Sequence, residues 1–333
     1  MKFDTITHFS RPDRVIGERL HVIVPIINSP RYRVRWKHVE DQIKRVLEAG
    51  AVCHIIECAF GQRAFVVPVP EDNCDDNADL HVWHVRTPHE LWLKENLINV
   101  ALTKLPACAD YIAWIDADVR FARDDWADET IHQLQHYKII QMFSWHLDLN
   151  HDCEPIGKPR PGFMNRYLNP DLPPCDDRYH SGKGSKAQPG APGLCWASRR
   201  KTLNDLGGLM DWQILGSADM HMAHALVGKL ADALRPEYDK GYTDPMYEWQ
   251  NRASISVGPQ WVGMMKGLAL HHFHGKKSLR QYGKRDLILI RNRFDPTLDL
   301  KRDIQGVYQL TGHNPQLRDD VRKYFHARNE DSL

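Results

Sequence analysis

One stretch constrains the fold more than any other. The apolar run Tyr111-Ile112-Ala113-Trp114-Ile115 ends in Asp116-Ala117-Asp118. A short run rich in β-formers and aromatics, preceded by Pro106, reads as a buried strand. In an open α/β sheet, ligands collect where strands end at their carboxyl side. Two carboxylates there, separated by one small residue, suit a divalent cation, and through it a diphosphate. The competing reading is two solvated turn residues that cap the next helix. The tripeptide alone does not separate the two.

The surrounding chain supplies a sheet for that strand to join. Leu20-His21-Val22-Ile23-Val24-Pro25 predicts a first strand, Trp36 to Ala49 a helix ended by Gly50, and Ala51 to Glu57 a second strand. Phe65 to Asp79 is irregular and acidic, and His81 to Val85 predicts a short strand. Leu91, Leu93, Leu97, Ile98 and Leu102 mark a helix over Glu90 to Lys104. After the Asp116 strand, Asp124 and Asp125 cap a helix from Trp126 to Tyr137, and Ile139 to Phe143 is another strand. Strands alternating with helices predict a mainly parallel, doubly wound α/β sheet. Residues 151–193 are broken by eight prolines and several glycines, which predicts a long loop. Within it, Ser181-Gly182-Lys183-Gly184-Ser185-Lys186 lacks the spacing and the preceding strand of a phosphate loop.

Composition narrows the class. At 333 residues, with 42% hydrophobic and 26% charged, the chain is expected to bury a sizeable core. Lys+Arg 44 against Asp+Glu 43 argues against a general nucleic-acid coat. No stretch approaches the ~20 apolar residues of a membrane helix, and no apolar leader follows Met1. The seven cysteines are scattered and lack a CxxC, so reduced thiols in a cytoplasmic setting are expected.

Two later blocks carry chemistry. Leu194 to Ala197 predicts a strand and Arg199 to Leu206 a helix, ended by Gly207-Gly208. Asp219 then opens another helix. It reads either as an N-cap or as a carboxylate positioned to act as a general base. Further on, Leu268-Ala269-Leu270 runs into His271-His272-Phe273-His274, followed by the basic stretch Lys276 to Arg285. Three histidines in four residues point to ligation of a borderline cation, and the basic residues to phosphate. Strand alternation pairs His272 with His274 on one face.

Taken in order, these blocks resemble the GT-A glycosyltransferases, and most closely the inverting β-galactosyltransferase-type family. The matching residues are Val24-Pro25-Ile26-Ile27-Asn28, Ile55-Ile56-Glu57, Trp92-Leu93-Lys94-Glu95-Asn96, Asp116-Ala117-Asp118, Gly207-Gly208 with Gly216-Ser217-Ala218-Asp219, and His271-x-x-His274. The likeness runs discontinuously over residues 20–285. Asp125-Trp126-Ala127-Asp128-Glu129-Thr130 and His274-Gly275-Lys276-Lys277 also resemble phage-type glycosyltransferases.

The resemblance implies a GT-A fold: a Rossmann-like, mainly parallel sheet flanked by helices, with an acceptor-side subregion and a long loop. Residues 1–150 would form the nucleotide-sugar half, 151–193 a flexible loop, 194–290 the acceptor and metal-completing half, and 291–333 a helical extension. It implies Mn²⁺ or Mg²⁺ held by Asp118, His274 and His271. Pro25, Asn28, Arg31, Glu57, Lys94, Asp116, Lys276, Arg280 and Arg285 would contact the donor, a UDP-sugar above others. Asp219 would be the catalytic base. The acceptor implied by the phage-type likeness is a hydroxymethylated DNA base or a sugar on one. The alternatives are a bacterial surface glycan and, in another class, an inactive nucleotide-sugar-binding scaffold. This chain departs from the family at Ile27 and Ser29, with Arg31, Arg33 and Arg35 just beyond, at Ala218, and at His271, a stronger ligand than the family's methionine.

Overall fold

The computed structural model describes residues 15–173 and 190–331. Seven strands form the main sheet, in the order β10-β6-β9-β4-β1-β2-β3. One half is β4 (Tyr111–Ile115), β1 (Leu20–Ile27), β2 (Val52–Phe60) and, at the edge, β3 (Leu80–Thr87), all parallel. β6 (Ile139–Gln141) and β10 (Val262–Met264) run parallel to each other, while β9 (Cys195–Arg199) lies antiparallel between β4 and β6.

The two faces follow from strand alternation. Val22, Val24, Ile55, Ala113 and Ile115 pack under α1 (Arg33–Glu48) and α3 (Trp126–His136). Ile23, Ile56, Ile112 and Trp114 face the opposite layer. That layer is α2 (Lys94–Leu102), α5 (Arg200–Leu206), α6 (Ala218–Leu226) and α7 (Lys240–Ser256). The expected doubly wound architecture is therefore present, with β9 as its one reversed inner strand among the described residues.

A second sheet decides the site. Its order is β5-β11-β7-β8, from β5 (Val119–Phe121), β7 (Trp145–Leu149), β8 (Pro155–Pro161) and β11 (Leu268–His271). Asp116-Ala117-Asp118 is thus the turn by which the chain leaves β4 in one sheet and enters β5 in the other.

Several boundaries differ from expectation. The second helix begins at Lys94 rather than Glu90, after a loop tied down by Trp92 N–H donating to Ile214 O at 2.8 Å. Residues 151–193 are not one loop: β8 pairs with β7, and α4 (Phe163–Leu168) follows. Prolines fit β8 because it is the sheet edge, where a missing N–H breaks no ladder. The rejected phosphate-loop stretch lies outside the described residues. Beyond α8 (Asp286–Arg291), the C-terminal part is not purely helical. It holds α9 (Pro296–Asp299), the hairpin of β12 (Leu300–Arg302) and β13 (Tyr308–Leu310), and α10 (Pro315–Ala327). Six cysteines are free thiols, and the seventh, Cys175, lies outside the described residues. No helix among the described residues is long and apolar enough to cross a membrane.

Candidate active site

The carboxyl ends of β1 and β4 open into a cleft of about 820 Å³. Asp116, Asp118, Asp219, His271, His274 and Lys94 all line it. The β5–β11 register explains how Asp118 meets histidines far along the chain. β11 runs antiparallel to β5, with His271 opposite Val119, and the ladder continues as His272 N–H donates to Asp118 O at 2.8 Å.

Asp118, His271 and His274 offer ligand atoms that all lie within 4.8 Å of one another. His274 Nε2 stands 3.2 Å from Asp118 Oδ2 and 3.2 Å from His271 Nε2, and His271 Nε2 is 3.8 Å from Asp118 Oδ1. Asp118 Oδ1 is buried without a hydrogen-bond partner. Buried polar atoms are normally paired, so such an oxygen beside two imidazole nitrogens fits a site that takes a cation. Protonation states fit too. Burial, helped by Arg280, pushes His274 down to about 3, leaving its nitrogen lone pair available at neutral pH. Burial alone would raise Asp118, but His274, His271, His38 and Arg35 outweigh it and hold the carboxyl well below its usual range.

The outer nitrogen of His271 is also accounted for. β7 runs beside β11 and places Asp148 opposite His271, with Nδ1 and Oδ1 2.9 Å apart. Arg160 from β8 holds Asp148 in turn. A carboxylate behind a ligating imidazole fixes its tautomer and ring angle. His272 does not join the set, because β11 ends at His271 and strand alternation lapses there. Its ring packs against His38 at a tilt, 5.2 Å between centroids, and its Nδ1 is 3.8 Å from Cys153 Sγ.

Asp116 faces differently. Lys94 Nζ, at the first turn of α2, lies 2.5 Å from Asp116 Oδ1. Burial disfavours the Lys94 ammonium, but the carboxylates around it, Asp116 foremost, overcome this and keep it charged. Asp116 N–H donates to Leu194 O at 2.9 Å, which ties the turn to the start of β9. Neighbouring Gly193 is pressed against Asp219, and a Cβ there would stand 2.4 Å from Asp219 Oδ2. Asp219 sits in the first turn of α6, where its Oδ1 accepts from Met220 N–H at 2.9 Å. The helix cap position is Ser217, held with φ 78°. Asp219 therefore combines a local helix contact with an oxygen turned toward Gly193. Below it lies a small apolar cavity walled by Trp114, Trp196, Met222 and Trp249, with Glu95 at its edge. Burial pushes Glu95 up to about 8.

The other expected donor contacts divide. Pro25, Arg280 and Arg285 line the cleft. Arg280 donates to Tyr282 OH at 3.1 Å and Arg285 to Ser217 Oγ at 2.7 Å. Asn28 borders the cleft, but its amide is engaged locally: it donates to Tyr32 O at 2.8 Å and accepts from Tyr32 N–H at 2.9 Å. Three expected residues are not in the cleft wall. Arg31 is exposed and donates to Ala64 O at 3.0 Å. Glu57 is buried and accepts from Val66 N–H and Val67 N–H, both at 2.9 Å, so it organises the loop after β2. Lys276 is exposed. Arg35 takes the place of Arg31 in the cleft, beside Trp92. Asp148 and Gly193 were missed in the sequence. Trp145-His146-Leu147-Asp148-Leu149 does alternate at period two, a strand signal that would have placed His146 and Asp148 on one face.

No family model matches the chain, and no curated protein does. Among solved structures it is similar to the catalytic domain of Drosophila β1,4-galactosyltransferase 7 in complex with xylobiose. That pair shows 14% identity and a TM-score of 0.31, over 61% of this chain and 58% of that one. It is also similar to the mannosyltransferase PcManGT from Pyrobaculum calidifontis in complex with GDP-Man and Mn²⁺, at 11% identity and TM-score 0.37, over 94% and 70% of the two chains. Glucosyl-3-phosphoglycerate synthase from Mycobacterium tuberculosis, in complex with Mg²⁺ and uridine diphosphate, gives 12%, 0.36, and 90% and 92%. The chain spans less than two thirds of the galactosyltransferase chain.

Proposed function

We propose that this protein is a metal-dependent glycosyltransferase. It moves a sugar from a nucleotide diphosphate sugar to an acceptor hydroxyl, with inversion at the anomeric carbon. The observation that carries the reading is the convergence of Asp118, His271 and His274 in the cleft that also holds Asp219. Those three residues would hold Mn²⁺ or Mg²⁺, which when bound offsets the negative charge building on the departing diphosphate.

The chain's own groups do the rest. Arg280, Arg285 and Arg35 face the cleft and match phosphate oxygens. Lys94 pairs with Asp116 and partly offsets the burial that pushes its carboxyl up, holding the side chain for a contact with the nucleotide. Asp219 accepts the proton of the acceptor hydroxyl as its oxygen forms a bond to the anomeric carbon. The bond from that carbon to the phosphate oxygen breaks, and the electron pair leaves with the nucleotide diphosphate. General-base help of this kind contributes ~10²–10⁴-fold.

The test is a panel of nucleotide sugars incubated with the protein and Mn²⁺, with melting shift and nucleotide release as readouts. One donor is expected to raise the melting temperature only when Mn²⁺ is present, and to be slowly hydrolysed. Binding with no turnover on any acceptor would instead favour the scaffold. Failure of every donor to bind would sink both. The finer acceptor reading, a hydroxymethylated DNA base or a sugar on it, rests on the sequence resemblance. Label transfer to hydroxymethylated duplex, compared with transfer to surface glycan, decides it.

A further inference from the structure

The two imidazoles of the proposed metal centre are backed differently. His271 has Asp148 behind it at 2.9 Å. His274 turns Nδ1 away from Asp118, and that nitrogen is buried without a hydrogen-bond partner. The group facing it is Glu330, whose Oε2 lies 3.8 Å away.

Glu330 belongs to the segment after α10, and nothing in its sequence surroundings marks it. It is nonetheless 2% exposed. Arg35 grips both of its oxygens, with Nη2 donating to Oε1 at 2.9 Å, and Arg328 Nη2 stands 2.7 Å from Oε1. Burial would push the Glu330 carboxyl up, but Arg35 and Arg328 outweigh that and hold it well below the usual range. A carboxylate is thus delivered, charged, to the back of His274.

The segment is also anchored on both sides of Glu330. Asp331 accepts from Arg33 N–H at 2.9 Å and Val34 N–H at 3.0 Å, supplying the cap that Tyr32, at the helix N-cap, does not. Tyr32 OH donates to Phe325 O at 3.0 Å. On the other side, Gly275 follows His274 with φ 89°, and a Cβ there would stand 2.6 Å from Glu330 Cα. Only glycine lets the histidine segment and the Glu330 segment approach this closely.

We propose that Glu330 is a positioning residue of the metal centre. It sets the ring of His274 as Asp148 sets that of His271, so that the segment after α10 completes the site. The proposal rests on the reading of Asp118, His271 and His274 as a cation site. A structural alternative exists, in which Glu330 only ties α1 to the end of α10. The two differ in what they predict for the metal.

The experiment measures Mn²⁺ binding by calorimetry and the visible spectrum of bound Co²⁺ in the wild type, Asp118→Ala, Glu330→Gln and Gly275→Ala, with melting temperatures alongside. Loss of a partner behind a ligating histidine typically costs about 10–100-fold in metal affinity. Glu330→Gln is expected to lose at least about tenfold and to shift the Co²⁺ bands. Gly275→Ala, which displaces the segment while keeping the carboxylate, is expected to do the same and stands in if Glu330→Gln does not fold. A lower melting temperature with Mn²⁺ affinity within twofold of wild type would overturn the positioning role and leave the metal centre standing. Absence of Mn²⁺ binding in the wild type would overturn the metal centre itself.

Discussion

At the scale of single residues, the cleft separates two kinds of acid. Asp118 is hemmed by imidazoles, whereas Asp116 is matched to a lysine and Asp219 to backbone N–H. Asp219 is bonded to a backbone N–H rather than to a lysine or an imidazole, which suits a group that must take up a proton. Asp219→Asn keeps size and the contact to Met220 but cannot serve as a base. Mn²⁺-dependent donor binding should persist while turnover falls by ~10²–10⁴-fold. Near-normal turnover would remove Asp219 from its role. The residues around the cleft also show which sequence expectations could not succeed. Glu57 and Arg31 stand at positions where a motif would put donor contacts, yet each satisfies a neighbouring loop. Motif position does not reveal which backbone groups will compete for a side chain.

At the scale of elements, short segments carry precise demands. The start of β9 delivers Gly193 against Asp219, so Gly193→Ala should push the carboxylate aside without changing its chemistry. A displacement of about 1 Å can cost on the order of 10²-fold in rate. Single-turnover measurement should show lost rate with Mn²⁺ affinity retained, and unchanged rate would mean that Asp219 has another position in catalysis. The parallel strands β1, β2 and β3 make a separate demand. They stack His21, His54 and His81 against Trp83, with neighbouring ring centroids 5.1 and 4.8 Å apart between the histidines. Burial pushes His21 down to about 4 and His54 well below its ordinary value. Both are thus neutral in the folded protein, while in the unfolded chain they protonate near 6.5. The stability they permit is complete above about pH 6.5 and falls as pH drops toward 4, by about 3 kcal/mol for His21 alone. Melting temperature measured from pH 7 to 4 should fall steeply across that window. In His54→Leu the curve should start lower and run flatter, and an unchanged slope would show that these rings do not govern acid stability.

At the scale of the whole molecule, the proposed ligands come from the junction of two sheets, so a bound cation would cross-link distant parts of the chain. A ligand at a hundred times its dissociation constant stabilises the folded state by about 2.7 kcal/mol. Mn²⁺ should therefore raise the melting temperature, a chelator should reverse the rise, and Asp118→Ala should abolish it. No shift in the wild type would count against the metal centre. The strand before Asp116, the helices at 33–48, 126–136 and 200–206, and the doubly wound layering were all legible in the sequence. Periodicity reports which face a local segment buries, and it depends only on neighbouring residues. The second sheet was not legible, because β5 is only three residues long and β11, which pairs with both β5 and β7, lies far along the chain from them. By itself, the sequence determined the fold class and the pairing of Asp116-Ala117-Asp118 with a strand end. Only the tertiary structure decided that His271 and His274 face Asp118 while His272 does not. Only it brought Asp148 and Gly193 to the cleft and set Glu330 behind His274. The physical reason is register: a local pattern specifies which face a side chain takes, but cross-strand pairing over long sequence distances specifies which side chains meet.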